Sequence, residues 1–459
     1  MDQPVANKHT VNTLTDSGDF RWYLTTHASW FFGMGLQMVI FPYLVAEVLL
    51  GSPKMIGIAQ MSLMAPTWFL MLFAGAIADR RDGRRMLILL NGVAIMPPLV
   101  LSFVVAGGTL TYTLIIIYAL SMGVLSAFSM PTRDSILNDV VAQIDERNGD
   151  VGSKVQRAVG LTNIMQFGGQ TAGMITAAAA TFLGTSPLIF LHAVIAGLGM
   201  MAAQRLHPAA HAQSSTASQN LGTPDTPPLQ AIAQGLTVVY KSPILLPLVL
   251  SALSVGLFFA GSFMVTLPVL VREEYGGGIY RFSAATVSFW VGTIISSITL
   301  IRMGHIRHRG RLVLGALSTG VVMLTTLAFT VPFFALCLIF FVWGLGAGVA
   351  LTLSRGIVQE AAPAQFRARI LAIYQLGFSG GMPLGSLMMG FLIEAYGPHN
   401  AVFIPAAAMA TVLTLMTWRS RLWSLDQMTA KLARETPLAA PVPAPNQPEP
   451  PSPTNTPTA

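Results

Sequence analysis

Uncharged hydrogen-bonding side chains recur inside long apolar runs of this chain. Lipid cannot satisfy them there, so each is a functional candidate before any fold is assumed. Asn163, Gln166 and Gln170 are spaced i, i+3 and i+7, which puts three amides on one face of a helix. Gln37 lies along a similar stripe with His27 and Met34, and Ser262 and Thr266 place two hydroxyls one turn apart. Such groups suit an uncharged or amphiphilic solute, and the competing role is to bond a neighbouring helix. Both roles stay open for His27 and His192, whose imidazoles are also candidate proton carriers, as are the carboxylates of Glu47 and Glu394 near the ends of their runs. All 19 acidic residues fall in tails, loops or the last turns of apolar runs. A permanent cation needs a buried carboxylate and an anion needs a buried Arg or Lys, and mid-run positions supply neither. The chain has no Gly-Lys-Ser/Thr phosphate loop, so direct use of ATP is not expected; no metal and no cofactor is expected either.

The elements that must hold these groups are membrane helices. Of the 459 residues, 53% are hydrophobic and only 10% charged, against roughly 25% charged in a soluble domain. A span takes roughly 20 apolar residues. Twelve runs qualify: 22–45, 55–78, 86–106, 110–130, 155–182 and 187–205, then 244–271, 284–301, 312–331, 332–354, 370–395 and 401–418. They lack the two-residue alternation of barrel strands. Loops on one side of this array, with the helix ends and tails, hold 23 of the 26 Lys and Arg; Lys54, Arg272 and Arg281 are on the other. A missed or extra span would destroy that division, so both termini are expected on the cytoplasmic side of the membrane. The same asymmetry accounts for the formal charge of +7 without nucleic acid. The polar start shows no cleavable signal peptide.

The expected organisation is a cytoplasmic tail (1–21), a six-helix bundle (22–205), a cytoplasmic linker (206–243), a second six-helix bundle (244–418) and a Pro-rich tail (419–459). Residues 207–230 are rich in Ala, Ser, Thr, Gln and Pro, the composition of a flexible connection. The stretch from Pro437 has 9 prolines in 23 residues and cannot bury a core. The halves repeat near an offset of 221. Gly123 falls on Gly344, and Ile136-Leu137-Asn138-Asp139-Val140-Val141 on Ile357-Val358-Gln359-Glu360-Ala361-Ala362. The loop from Ala78 to Arg85 has a degraded partner from Gly304 to Arg311. Two matches in the same order indicate duplication.

These features bring out a family likeness. From about Phe20 to Trp418 the chain resembles a transporter of the major facilitator superfamily. The loop Gly75-Ala76-Ile77-Ala78-Asp79-Arg80-Arg81-Asp82-Gly83-Arg84-Arg85 is similar to the superfamily signature between the second and third helices. Its extra residue, with Met130-Pro131-Thr132-Arg133 and Gly381-Met382-Pro383-Leu384-Gly385, resembles the branch of bacterial multidrug and siderophore exporters. The resemblance implies an all-α membrane protein of twelve transmembrane helices in two pseudo-symmetric six-helix bundles.

It further implies that Asp79 faces the N-terminus of the eleventh span when the inner gate is shut, where a helix dipole favours an anion. Arg80, Gly83, Arg84 and Arg133 would belong to that gate, with Asp134, Asp139 and Glu360 as carboxylate partners. The alternative for the arginines is anchoring to lipid phosphate. Gln37, Asn163, Gln166, Gln170, Ser262 and Thr266 would line a central substrate cavity. Three departures stand out: Gln170 replaces the proline of a kink motif, Gly33-Met34-Gly35 replaces an expected Asp, and Ala119 stands near an expected Arg. The implied function is export of small amphiphilic molecules by alternating access across a bacterial inner membrane. A proton is the implied counter-ion, membrane lipid the surroundings, and a monomer the expected state. An importer of a nutrient or metal chelate on the same fold is the alternative, and a membrane-embedded enzyme a more distant one.

Overall fold

The computed structural model describes residues 17–78, 82–148, 155–207, 228–303, 306, 308–363 and 366–419. Those residues form helices and their connections, with no strand among them. The first half contains α1 (Gly18–Val48), α2 (Pro53–Ala78), α3 (Gly83–Ala106), α4 (Tyr112–Asn148), α5 (Val155–Ala177) and α6 (Thr185–Gln204). A shorter helix, α7 (Pro228–Lys241), leads to the second half: α8 (Leu245–Glu274), α9 (Ile279–Met303), α10 (Arg309–Thr326), α11 (Phe333–Ala361), α12 (Arg367–Ala401, interrupted at Gly397) and α13 (Phe403–Arg419). Eight of these helices are individually long and apolar enough to cross a bilayer, and α2, α5, α10 and α13 complete the twelve. Helices close their backbone hydrogen bonds internally, which a chain in hydrocarbon requires. Large apolar side chains such as Phe69, Phe103 and Phe182 point outward from the bundle, as a lipid-facing surface allows.

The two halves are built on matching seams. Gly123 of α4 lies so close to α2 that a Cβ there would overlap the Leu63 carbonyl oxygen; Gly344 of α11 meets the Phe289 carbonyl of α9 in the same way. Each of these glycine carbonyls accepts a hydroxyl hydrogen bond, from Thr67 and Thr293 respectively, both at 3.1 Å. Gly173 likewise seats α5 on α1, and Gly385 seats α12 on α8. Small residues permit such close backbone packing, the main source of helix association where lipid is as apolar as the helices themselves.

Two elements differ from the sequence expectation. Residues 131–148, read as loop, continue α4 as helix past Pro131. Ile136, Leu137, Val140, Val141 and Ile144 recur at helical spacing and bury against Phe20, Tyr23, Leu87 and Leu206 in a second apolar cluster at one end of the bundle. Charged residues between them conceal that stripe. The end of the linker region is also helical. In α7, Gln234 accepts from Arg369 of α12 (2.8 Å), and Gly235 packs on the same helix.

Candidate functional site

A cavity of about 440 Å³ lies between the halves. It takes residues from α1, α2, α4 and α5 on one side and from α8 to α12 on the other. Aromatic rings dominate the second-half wall: Trp343 meets Phe259 and Phe289 nearly edge-on, with centroids 5.7 and 6.1 Å away. The π-helical segment Val255–Ala260 of α8 adds Val255 and Phe259, a local widening of the kind that recurs at functional sites. Met34, Met38, Met64 and Met264 contribute adaptable apolar surface. Gln37, Gln60, Gln166 and Gln170 supply amides. No Asp, Glu, Lys, Arg or His is among the described lining residues.

The expected cavity residues separate into three groups. Gln37, Gln166 and Gln170 line the space, and the Gln170 amide donates to Met38 Sδ at 3.5 Å. Asn163 is exposed, one turn nearer the α4–α5 end, and is not on the cavity wall. Ser262 and Thr266 are fully buried elsewhere. Ser262 donates to the Phe258 carbonyl (2.6 Å) and lies 3.6 Å from Met389 Sδ on α12, so its face of α8 serves helix packing. Gln60 carries the same signal as Gln37, an amide inside an apolar run, but sequence reasoning passes it over. Trp290 offers no such signal, since an indole in a span also fits plain packing.

Neither histidine reaches the cavity. His27 is buried between Tyr23 and Phe31, with ring centroids at 5.6 and 4.8 Å, and its Nδ1 is 3.4 Å from the Tyr23 hydroxyl. His192 is buried where α6 crosses Gly33 of α1, and a Cβ there would strike its ring.

One face of the molecule carries the α1–α2 and α8–α9 turns and is sealed by contacts between the halves. Arg272 of α8 donates to the Ala46 and Gly51 carbonyls (3.0 and 2.7 Å) at the end of α1. Glu394 of α12 accepts from Ser52 Oγ (2.8 Å) and the Lys54 N–H (3.1 Å) at the start of α2. Each half thus caps a helix of the other, a cation on a C-terminus and an anion on an N-terminus. Glu47 accepts from the Gly278 N–H and interacts with Arg272. Ser283 of α9 donates to the Met174 carbonyl of α5 (2.7 Å), and Gly57 of α2 abuts Gly390 of α12. Nearby Tyr275 donates to the Val331 carbonyl (2.7 Å), and burial, then Glu274, push its phenol up to about 12.

At the opposite face Asp79 and Arg80 lie outside the described residues. Gly83 begins α3 and lets it approach Ile136 of α4, while Asp82 caps that helix by accepting from the Arg85 N–H (3.3 Å). Arg84, expected to meet a carboxylate, instead donates to the Gln204 carbonyl (2.7 Å) at the end of α6. Arg133 is fully buried: it donates to Ser129 Oγ, the Thr26 carbonyl and Asn91 Oδ1 (3.0, 2.9 and 3.1 Å) and stacks over Trp30. Asp134 is exposed and interacts across the halves with Arg355; Asp139 feels Asp82 as a like charge. Glu360 pairs with Arg309 at 2.6 Å within the second half.

Two sequence patterns resemble other chemistry but sit in the wrong setting. Gly377-Phe378-Ser379-Gly380-Gly381 has the spacing of a hydrolase nucleophile elbow, yet it lies inside α12, where Ser379 donates to the Gln375 carbonyl (2.9 Å). His207 and His211 stand four apart. The His207 ring is 2.8 Å from Asp19, and His211 lies outside the described residues.

The chain matches the family described as transmembrane secretion effector over residues 16–445. It is similar to the staphyloferrin A transporter of Staphylococcus aureus, 25% identical over 350 residues, or 74% of this chain and 81% of that protein. It is equally similar to the multidrug efflux pump Tap of Mycobacterium tuberculosis, 25% identical over 401 residues, or 83% of this chain and 88% of that protein. In three dimensions it resembles the nucleoside transporter NupG with a TM-score of 0.67, covering 89% of this chain and 99% of that one; at 12% identity this likeness speaks for the fold alone.

Proposed function

We propose that this chain, which belongs to the transmembrane secretion effector family of the major facilitator superfamily, exports small neutral or amphiphilic molecules from a bacterial cytoplasm. Family membership makes it a membrane transporter and not an enzyme. The observation that supports the choice of cargo is the inter-bundle cavity, apolar and aromatic, with amides and without an ionic side chain among its described lining residues. A permanent ion entering it would lose its hydration with nothing of opposite charge to replace it. An uncharged amphiphile would keep its hydrogen bonds on amides and bury its rings against Phe259 and Trp343.

The direction draws on the relatives named as an efflux pump and a siderophore transporter, and the mechanism on the sealed turn face. With both termini cytoplasmic, that face is the outer one, so the cavity stands closed to the outside. Rocking of the halves then alternates access around a fixed site. The driving ion is a proton, taken up by carboxylates at the faces, Glu47 and Glu394 among them, since the cavity wall offers none. In this reading Asp79 and Arg80 form the inner gate together with Gly83 and Arg84.

Everted membrane vesicles test this. Energised vesicles containing the protein are expected to accumulate N-phenyl-1-naphthylamine several-fold over vesicles without it, and a protonophore is expected to abolish the difference. Equal accumulation with and without the protein would end the export reading, and uptake confined to right-side-out vesicles would favour import.

A further inference from the structure

Buried polar atoms without partners are rare in folded proteins, because each one costs free energy that a hydrogen bond would recover. Nine such side-chain atoms make no hydrogen bond among the described residues, one of them, Glu274 Oε1, being ion-paired with His399 instead, and only two belong to residues lining the cavity: Gln37 Oε1 and Trp290 Nε1. One is an acceptor and the other a donor. Gln37 belongs to α1 of the first half and Trp290 to α9 of the second. Each stands eleven residues from the turn-face end of its helix, Val48 or Ile279, so both lie roughly 16 Å below the sealed face, at one depth. Gln37 is 9% exposed and both residues touch the cavity, but Gln37 Oε1 and Trp290 Nε1 are themselves shielded from water, so each side chain must turn toward the cavity to meet a cargo, and these atoms give up no hydrogen bond in doing so.

We propose that Gln37 and Trp290 form a two-ended clamp that reads hydrogen-bonding polarity in the cargo. Gln37 accepts from a donor at one end of a neutral aromatic amphiphile, and Trp290 donates to an acceptor at the other. The rings of Phe259, Phe289 and Trp343 hold the flat body between them. The cargo class is therefore uncharged polycyclic molecules with a donor and an acceptor at separate ends. Because the clamp residues belong to different halves, a cargo held by both ties the halves together, and rocking must break one bond to release it. This inference rests on the reading of the cavity as the transport site.

Three neutral dyes separate the clamp's ends in binding titrations on the purified protein. N-phenyl-1-naphthylamine carries one N–H donor, its N-methyl analogue has none, and Nile red carries only acceptors. Gln37→Leu is expected to weaken N-phenyl-1-naphthylamine about tenfold, the loss of one good hydrogen bond, and to leave the N-methyl analogue within about twofold. Trp290→Phe is expected to weaken Nile red about tenfold and to leave N-phenyl-1-naphthylamine within about twofold. Without ligand, Gln37→Leu should melt no lower than the parent, since the amide oxygen has no partner to lose. Equal weakening of all three dyes, no weakening, or a parent protein that binds none of them would overturn the clamp. Vesicle transport without the selective losses would sink the clamp alone; selective losses without vesicle transport would sink only the export reading.

Discussion

Arg133 shows how much a single side chain can depend on uncharged neighbours. Its guanidinium is completely buried, and its hydrogen-bond partners are a hydroxyl, an amide oxygen and a backbone carbonyl. Removing a charge from water costs several kcal/mol, and this site repays it with three donors in fixed directions and an indole face. A lysine cannot reproduce that fork, because its ammonium is a point charge with freely rotating donors. Arg133→Lys is therefore expected to destabilise the protein by about 2 kcal/mol, seen as a lower midpoint in thermal unfolding of the detergent-solubilised protein. An unchanged midpoint would mean the site tolerates a point charge. Asn91→Ala should cost less, about 1 kcal/mol, since it removes one of three partners. Residue type alone marks Gln37, Gln166 and Gln170 as candidates, and all three reach the cavity. Type does not tell them from Ser262 or Thr266, because that depends on which face of α8 meets α12. The sequence also leaves Arg133 among the gate residues. Its burial follows from the continuation of α4 past Pro131, which carries the side chain back between α1 and α3.

Among elements, the helix pairs matched by the internal repeat bear the tightest packing. Gly123 and Gly344 are legible from the repeat alone, and the structure gives them equivalent places, α4 on α2 and α11 on α9. Gly344→Val would set a branched side chain against the Phe289 carbonyl, where neither backbone can yield without opening the seam. Overpacking of a core usually costs about 1–3 kcal/mol, and backbone contact places this case at the upper end. The variant is expected to lose most of its monodisperse fraction in size-exclusion chromatography, and a normal profile would show that the seam is looser than its geometry. Element boundaries were less legible. The α4 extension and α7 are amphipathic helices at the bundle's polar end, where charges interrupt the apolar runs that mark spans. The turn-face caps were invisible for another reason: Arg272 and Glu394 serve helices of the opposite half, and no local pattern announces a cap supplied from elsewhere. Glu394→Gln keeps the size but removes the charge facing the α2 N-terminus, a loss of about 1 kcal/mol. With Cys337 replaced by serine, labelling of a Lys54→Cys probe, whose backbone N–H still meets residue 394, by an impermeant maleimide should then rise about fivefold, whereas unchanged labelling would show that this cap does not hold the face shut.

For the whole molecule, the question is whether the sealed face opens during transport or is a permanent floor. The polar contacts that close the face are of a kind that can exchange. The polar contacts between the halves at the turn face are caps and single hydrogen bonds, with Gly57 abutting Gly390 beside them, and at the opposite face Asp134 meets Arg355 electrostatically. The larger buried apolar cluster runs through both halves, and the smaller one lies at the opposite end. Single hydrogen bonds and caps of this kind can exchange as two bundles rock against each other, while non-directional apolar contacts can slide. A covalent tie across the face separates the two possibilities. Ser283 Oγ and the Met174 carbonyl are 2.7 Å apart, which brings the two backbones close, and disulfide formation between cysteines at these positions is first read as loss of free thiol on oxidation. The native Cys337 is to be replaced by serine so that no other thiol competes. If the face must open, oxidising Met174→Cys/Ser283→Cys in that background should remove at least nine-tenths of dye movement in vesicles, and a reductant should restore it. Each single cysteine should be insensitive to oxidation. Full transport through the cross-linked protein would mean that the turn face stays closed and that cargo leaves by another route, between helices rather than between halves.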